Sequence, residues 1–177
     1  MTVHRFEAQH ARDDGALVRK ALTGDESAFS SLYARYARMI HGILLARVPV
    51  MHADDLVQDV FLTAWRSLER LRDPAAFGGW LAMIARNRAA DFHRRSVDVV
   101  ELPAHLEAPD STAAGAEANA ALDAVRQLPE AYRETLMLRL VEGMTGPEIA
   151  ERTGLTPASV RVNLHRGMKL LREKLGT

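Results

Sequence analysis

The densest chemical capacity in the sequence lies near its C-terminal end. Ser159, Arg161, Val162 and Asn163 come first, followed by Arg166, Lys169, Arg172 and Lys174. Arginine can hold guanine bidentately, asparagine can hold adenine, and an exposed valine can touch a thymine methyl. Later cations suit phosphate contacts, which position a reading element without specifying sequence. At about 100° per residue, Val160, Leu164, Met168, Leu171 and Leu175 share one arc, the expected buried stripe. Ser159, Val162, Arg166 and Lys169 fall on the opposite face. Arg161, His165 and Arg172 flank that face on one side and Asn163 on the other. A plain solvated helix would also carry Arg and Lys. Val162 discriminates, because such a face has little reason to hold it.

Two other stretches carry chemistry. In the segment 51–65, Leu56, Val57, Val60, Phe61 and Ala64 share one helical face with Leu68 beyond. Asp55, Asp59, Leu62, Arg66 and Glu69 take the other face. Carboxylates around an exposed leucine suit a basic protein partner. The macrodipole alone accounts for Asp54 and Asp55 at a helix start, but not for Asp59 or Leu62. Farther on, Phe77, Trp80, Phe92 and His93 interleave with Arg86, Arg88, Arg94 and Arg95. That mixture suits single-stranded nucleic acid. The aromatics read better as core, together with Ile84, which leaves Asn87 and the arginines as the functional side chains.

The elements that must position these residues are helical. Apolar residues recur at three and four, and no strand-like alternation persists. Helices are expected at 15–22, from Asp25 to Val48-Pro49, at 53–70 and at 76–95, with a turn at Leu71–Pro74. Phe29, Leu32, Tyr33, Tyr36, Ile40 and Leu44 are expected along one side of the second. Residues 97–115 hold two prolines, several small residues and no basic one, which predicts a flexible linker. Helices resume at 116–127 and 131–142. Thr145, Pro147 and Glu148 form a capping-box signature for a short helix stopped by Gly154. Thr156-Pro157 opens the last helix, so the final pair reads as a helix-turn-helix. The expected architecture is all-α, with two small helical domains at 15–96 and 116–177. A flexible tail over 1–14 precedes them, and the two cores are expected to orient independently.

Composition narrows the class. The 177 residues carry no net charge, but the balance is uneven. Residues 1–97 have 14 basic and 11 acidic side chains, 98–121 have none and 5, and 122–177 have 9 and 7. An acidic middle therefore joins two mildly basic ends. The absence of Cys excludes disulfides and thiolate metal sites. The histidines are scattered without metal-ligand or triad spacing. His41, His52 and His93 read as surface or packing residues. No enzyme, cofactor or metal is expected. No apolar run approaches the ~20 residues of a membrane span, and residues 1–15 lack a signal-like apolar region. A cytoplasmic location with no membrane insertion is expected.

The stretches GDESAFSSLYARY and ADDLVQDVFLTAWRSLERLRDPAAFGGWLAMIARNRAADFHRR resemble region 2 of sigma factors. LPEAYRETLMLRLVEGMTGPEIAERTGLTPASVRVNLHRGMKLLREKL resembles region 4. The order, and a linker in place of region 3, resemble the extracytoplasmic-function (group IV) sigma factors. The resemblance implies a promoter-specificity subunit whose partners are RNA polymerase core (β′ clamp helices and β flap), promoter DNA and an anti-sigma factor. It places Asp54, Asp55, Gln58, Asp59 and Leu62 at the polymerase. It places Leu71, Asp73, Ala76, Arg86, Asn87, Arg94 and Arg95 at the minus-10 element, around an extruded base. It places Thr156, Ser159, Arg161, Val162, Asn163, His165, Arg166 and Lys169 at the minus-35 element. Where family members often carry Val-Lys/Arg-Ser-Arg, this chain has Val160-Arg161-Val162-Asn163. The resemblance thus implies an altered minus-35 preference. A stand-alone helix-turn-helix repressor or response regulator is the alternative. It would bind an operator without polymerase.

Overall fold

A computed structural model describes residues 3–98 and 113–176. Among these residues every regular element is helical. The first lobe comprises α1 (Val3–Leu22), α2 (Glu26–Leu45), α3 (Val50–Ser67) and α4 (Phe77–Asp98), with single 3-10 turns at Leu68–Arg70 and Pro74–Ala76. The second comprises α5 (Ala113–Arg126), α6 (Glu130–Leu140), α7 (Gly146–Thr153) and α8 (Pro157–Leu175).

Local sequence explains most of the boundaries. Asp25 caps α2 by accepting from the Ala28 amide at 3.1 Å. Thr145 and Glu148 form the expected capping box on α7, and Gly154 ends that helix in the left-handed region at φ 75°. Thr156 caps α8 by accepting from the Ser159 amide. Each cap satisfies amides that the first helical turn leaves without partners.

Four details depart from the sequence expectation. First, α1 begins at Val3, not near Gly15. Glu7, Ala8, Gln9, Ala11 and Arg12 favour helix by propensity but form no apolar stripe, so periodicity does not register them. Second, Tyr33 is 41% exposed, not part of the buried side of α2. Third, Leu175 is exposed, whereas Gly167 is buried on α8. A Cβ there would stand 2.9 Å from Leu136 Cδ1 and 3.1 Å from Tyr132 Cβ, so the glycine lets α8 approach α6 closely. Fourth, most of the expected linker, residues 99–112, lies outside the described residues; 97–98 close α4 and 113–115 open α5.

The two cores are not independent. Buried residues of both lobes form one apolar cluster, running from Leu32, Ile40 and Leu81 to Leu136, Leu138 and Ile149. A buried polar anchor braces the first lobe. Asp14, 5% exposed, accepts from the Tyr36 hydroxyl at 2.5 Å and pairs with Arg35. Burial, then the Asp14 carboxylate, pushes the Tyr36 hydroxyl far above its ordinary pKa, so it stays a donor.

Candidate nucleic-acid interface

On α8 the residues expected to read DNA reach solvent together. Ser159, Arg161, Val162, His165, Arg166 and Lys169 are exposed, and Val162 keeps 41% of its surface. Val160 and Leu171 are buried beneath them, with Leu164 and Met168 half-covered. Thr156 and Ser159 share a 2.8 Å hydroxyl contact, so both serve the cap as well as the exposed face. Asn163 differs. It is half-buried and lines the groove between the lobes, beside Arg47, Arg86, Glu130, Glu134 and Leu155.

The basic helix α4 divides in the same way. Asn87 is exposed, and Arg95 is exposed near the helix end. Arg94 pairs with Asp91 one turn back. Arg88 donates to the Thr63 hydroxyl at 2.6 Å and so braces α3. Phe77 is fully buried, and Trp80 and Phe92 pack half-covered against the core, which matches their reading as structural. Arg86 does not face solvent openly. It forks onto Glu134 of the second lobe, with Nη2 donating to Oε1 at 2.7 Å and Nε to Oε2 at 3.1 Å. In the preceding turn Asp73 caps the 3-10 segment by accepting from the Ala75 amide, and Ala76 is exposed while Leu71 is half-buried. Asn87 lies eleven residues beyond Ala76, about 16 Å along a helix axis.

The acidic helix presents the expected ridge. Asp55, Gln58, Asp59 and Leu62 are exposed at helical spacing, and Leu62 keeps 51% of its surface. Opposite them Val57, Val60, Phe61 and Ala64 are buried. Asp54 is exposed with its carboxylate 3.7 Å from His41 Nε2. Two exposed aromatics lie on or near the helix, Trp65, which the sequence did not single out, and Tyr33, expected on the buried side of α2. Trp65 is 38% exposed and meets Phe29 edge-on at 4.7 Å, and Tyr33 lies 4.5 Å from the Phe61 ring.

The residues most clearly missed sit where the lobes meet. Glu134, 5% exposed, bridges Arg86 and Arg47, each at 2.7 Å. Burial pushes its carboxyl up, but the hydrogen bond from Arg86 and the charges of Arg47 and Arg86 outweigh that and hold it below the usual range. Glu142, 7% exposed, accepts from His41 Nδ1 at 2.7 Å, and Arg38 Nε lies 3.7 Å from its other oxygen. The hydrogen bond to Glu142 raises the His41 pKa above 6.5, against the opposing effect of burial. Arg152 Nη1 also donates to the Arg35 carbonyl at 3.1 Å. A carboxylate just before the apolar run 136–138 was a local sign of such a role.

Chemically, the arrangement presents polar and cationic side chains together on α8, an exposed amide and arginines along α4, and carboxylates around an exposed leucine on α3. Among the described residues, no group of His, Asp and Glu is placed to hold a metal ion, and no helix is long and apolar enough to cross a membrane.

Comparison with known proteins agrees along the chain. Residues 32–97 match the family described as Sigma-70 region 2, and residues 118–171 match Sigma-70, region 4. The RNA polymerase sigma factor CarQ of Myxococcus xanthus is 37% identical over 162 residues, spanning 86% of this chain and 92% of that protein. The ECF RNA polymerase sigma-E factor of Haemophilus influenzae is 28% identical, over 92% of this chain and 95% of its own. The solved structure of CnrH in complex with the cytosolic domain of CnrY superposes with a TM-score of 0.65 at 28% identity, covering 93% of this chain and 97% of that one.

Proposed function

The chain belongs to the sigma-70 family of RNA polymerase sigma factors, in its extracytoplasmic-function group, and we propose that it divides the work of transcription initiation among three surfaces. Sigma factors are initiation factors and not enzymes, and no catalytic residue is assigned here. The α3 ridge of Asp54, Asp55, Gln58, Asp59 and Leu62 docks on the β′ clamp helices. The α4 strip, centred on Asn87 with Arg94, Arg95 and the Leu71, Asp73 and Ala76 turn, takes the opened minus-10 strand. The exposed face of α8 reads the minus-35 duplex, and the second lobe also meets the β flap. Work alongside the polymerase implies a cytoplasmic location.

The supporting observation is α8 itself. A capped short helix, a glycine turn and a second capped helix present Arg161, Val162, Arg166 and Lys169 together to solvent. Such a face supplies base contacts from its first turns and phosphate contacts later. CnrH is seen bound to the cytosolic domain of CnrY. We propose that this chain likewise has a protein partner, an anti-sigma factor that covers the docking surfaces.

Co-elution with purified core polymerase tests the docking surface. The wild-type chain is expected to co-elute, and a variant with Asp55→Lys, Asp59→Lys and Leu62→Asp is expected to elute alone. Equal retention of both would remove α3 from the interface. A gel shift separates the repressor alternative. This reading expects weak, salt-sensitive binding of duplex by the chain alone, whereas tight operator binding without polymerase would favour a repressor.

A further inference from the structure

We infer that Met83 of α4 acts as an apolar wedge in promoter opening: its side chain enters the gap left in the base stack when a minus-10 base is extruded, and keeps that stack from closing. The inference rests on the reading of α4 as the minus-10 surface. It adds to that surface a residue that neither the helical pattern nor the resemblance assigned.

Three observations carry it. The first is exposure without a structural cause. Met83 keeps 49% of its surface, while its neighbours Leu81, Ala82, Ile84 and Ala85 are buried. The opposite face of α4 therefore supplies the core contacts, and an apolar side chain left in water adds little to the fold.

The second is the company it keeps. At about 100° per residue, Trp80, Met83, Asn87, Ala90 and Arg94 share an arc of about 80°. Within residues 80–90, those that are exposed are Met83, Asn87 and Ala90. No carboxylate lies in that stretch. Its two cations turn aside: Arg86 faces the seam between the lobes, held by Glu134, and Arg88 faces Thr63. What remains is an apolar side chain one turn from a base-reading amide, with Arg94 and Arg95 farther on for phosphate. The α3 ridge is built differently, with carboxylates around its exposed Leu62. The α4 arc thus suits bases, and the α3 ridge suits protein.

The third is spacing. Met83 and Asn87 are four residues apart, about 6 Å along the helix axis. Bases stack at ~3.4 Å along a strand, so one base drawn out leaves its neighbours about 7 Å apart. A saturated chain touching a ring on each face, at ~3.5 Å on either side, spans that gap. Methionine suits the role. It is unbranched and narrow, turns about three bonds, and carries a polarizable sulfur that favours aromatic rings. Apolar wedges of this kind, methionine among them, separate base steps and offset the cost of unstacking.

Open-complex formation tests the wedge, at a promoter that the wild-type chain transcribes with purified core polymerase. Two templates are compared, one fully paired and one with non-complementary strands across the minus-10 element. Met83→Ala is expected to lower opening of the paired template by roughly tenfold, a fraction of the cost of unstacking one base step. The mismatched template should stay close to wild type, because its bases are already unpaired. Met83→Leu should restore most of the opening, whereas Met83→Gln, similar in length but polar, should not. Helical content checks that each variant folds. Equal loss on both templates, or no loss on the paired one, would overturn the wedge. Loss of co-elution with core polymerase in Met83→Ala would overturn it too, by placing Met83 in a protein contact. A wild-type chain that opens neither template would instead count against the sigma-factor reading itself, and the wedge falls with it.

Discussion

Arg86 of α4 forks onto Glu134 of α6, with Nη2–Oε1 at 2.7 Å and Nε–Oε2 at 3.1 Å. The pair joins residues 48 apart in sequence and belongs to different lobes. Arg47 completes it from the other side at 2.7 Å. The finding changes the meaning of Arg86. A cation expected to face DNA is half of an internal ion pair.

Glu134→Ala should cost about 3 kcal/mol of stability, the low end of the range for removing one partner of a buried ion pair, because Arg86 is partly solvated. Urea unfolding measures it. A change below about 0.5 kcal/mol, the level of an ordinary surface substitution, would mean that the seam is open in solution.

His41 makes stability depend on pH. It faces Glu142 and Asp54, and Arg38 lies against Glu142. Its folded pKa is raised above 6.5, so its contribution to stability is fully present below 6.5 and is lost as pH rises through the folded value. Urea midpoints should therefore fall as pH increases across that window, and His41→Gln should flatten the change. An identical profile in the variant would assign the dependence to another group.

Asn87→Ala should weaken transcription from a cognate promoter by about 1–3 kcal/mol, the worth of a good amide contact to a base, and leave binding to core polymerase unchanged. Abortive-initiation rates and core co-elution measure the two separately. Loss of core binding would place Asn87 at the protein interface.

Val162→Ser should change minus-35 preference by about 1 kcal/mol at one base pair. Val162 is exposed on the reading face, so its replacement leaves the seam intact. Asn163→Arg is a different experiment. It would add a cation to the groove that already holds Arg47 and Arg86. Selection from a randomised minus-35 element reads the preference, and an unchanged profile for Val162→Ser would remove that residue from the reading face.

The helices and their caps were legible because their causes are local. Asp25, Thr145 with Glu148, and Thr156 each bond a backbone amide three residues away. The α3 ridge was legible because one helical period fixes which residues face out. The seam was not. His41 and Glu142 are 101 residues apart, and no periodic pattern records such a pairing. Gly42, inside a long helix, marked it without naming its partner. The orientation of Asn163 was missed for the same reason, since a wheel places a residue on its own helix but not against a neighbouring lobe. The early start of α1 left no apolar stripe to find.

The central claim, that this chain gives core polymerase its promoter choice, is tested most directly by transcription with purified core enzyme on a promoter library, with and without the protein. Start sites that appear only when the chain is present, sharing one minus-10 and one minus-35 sequence, are the predicted result. A library transcribed identically in both reactions would contradict it.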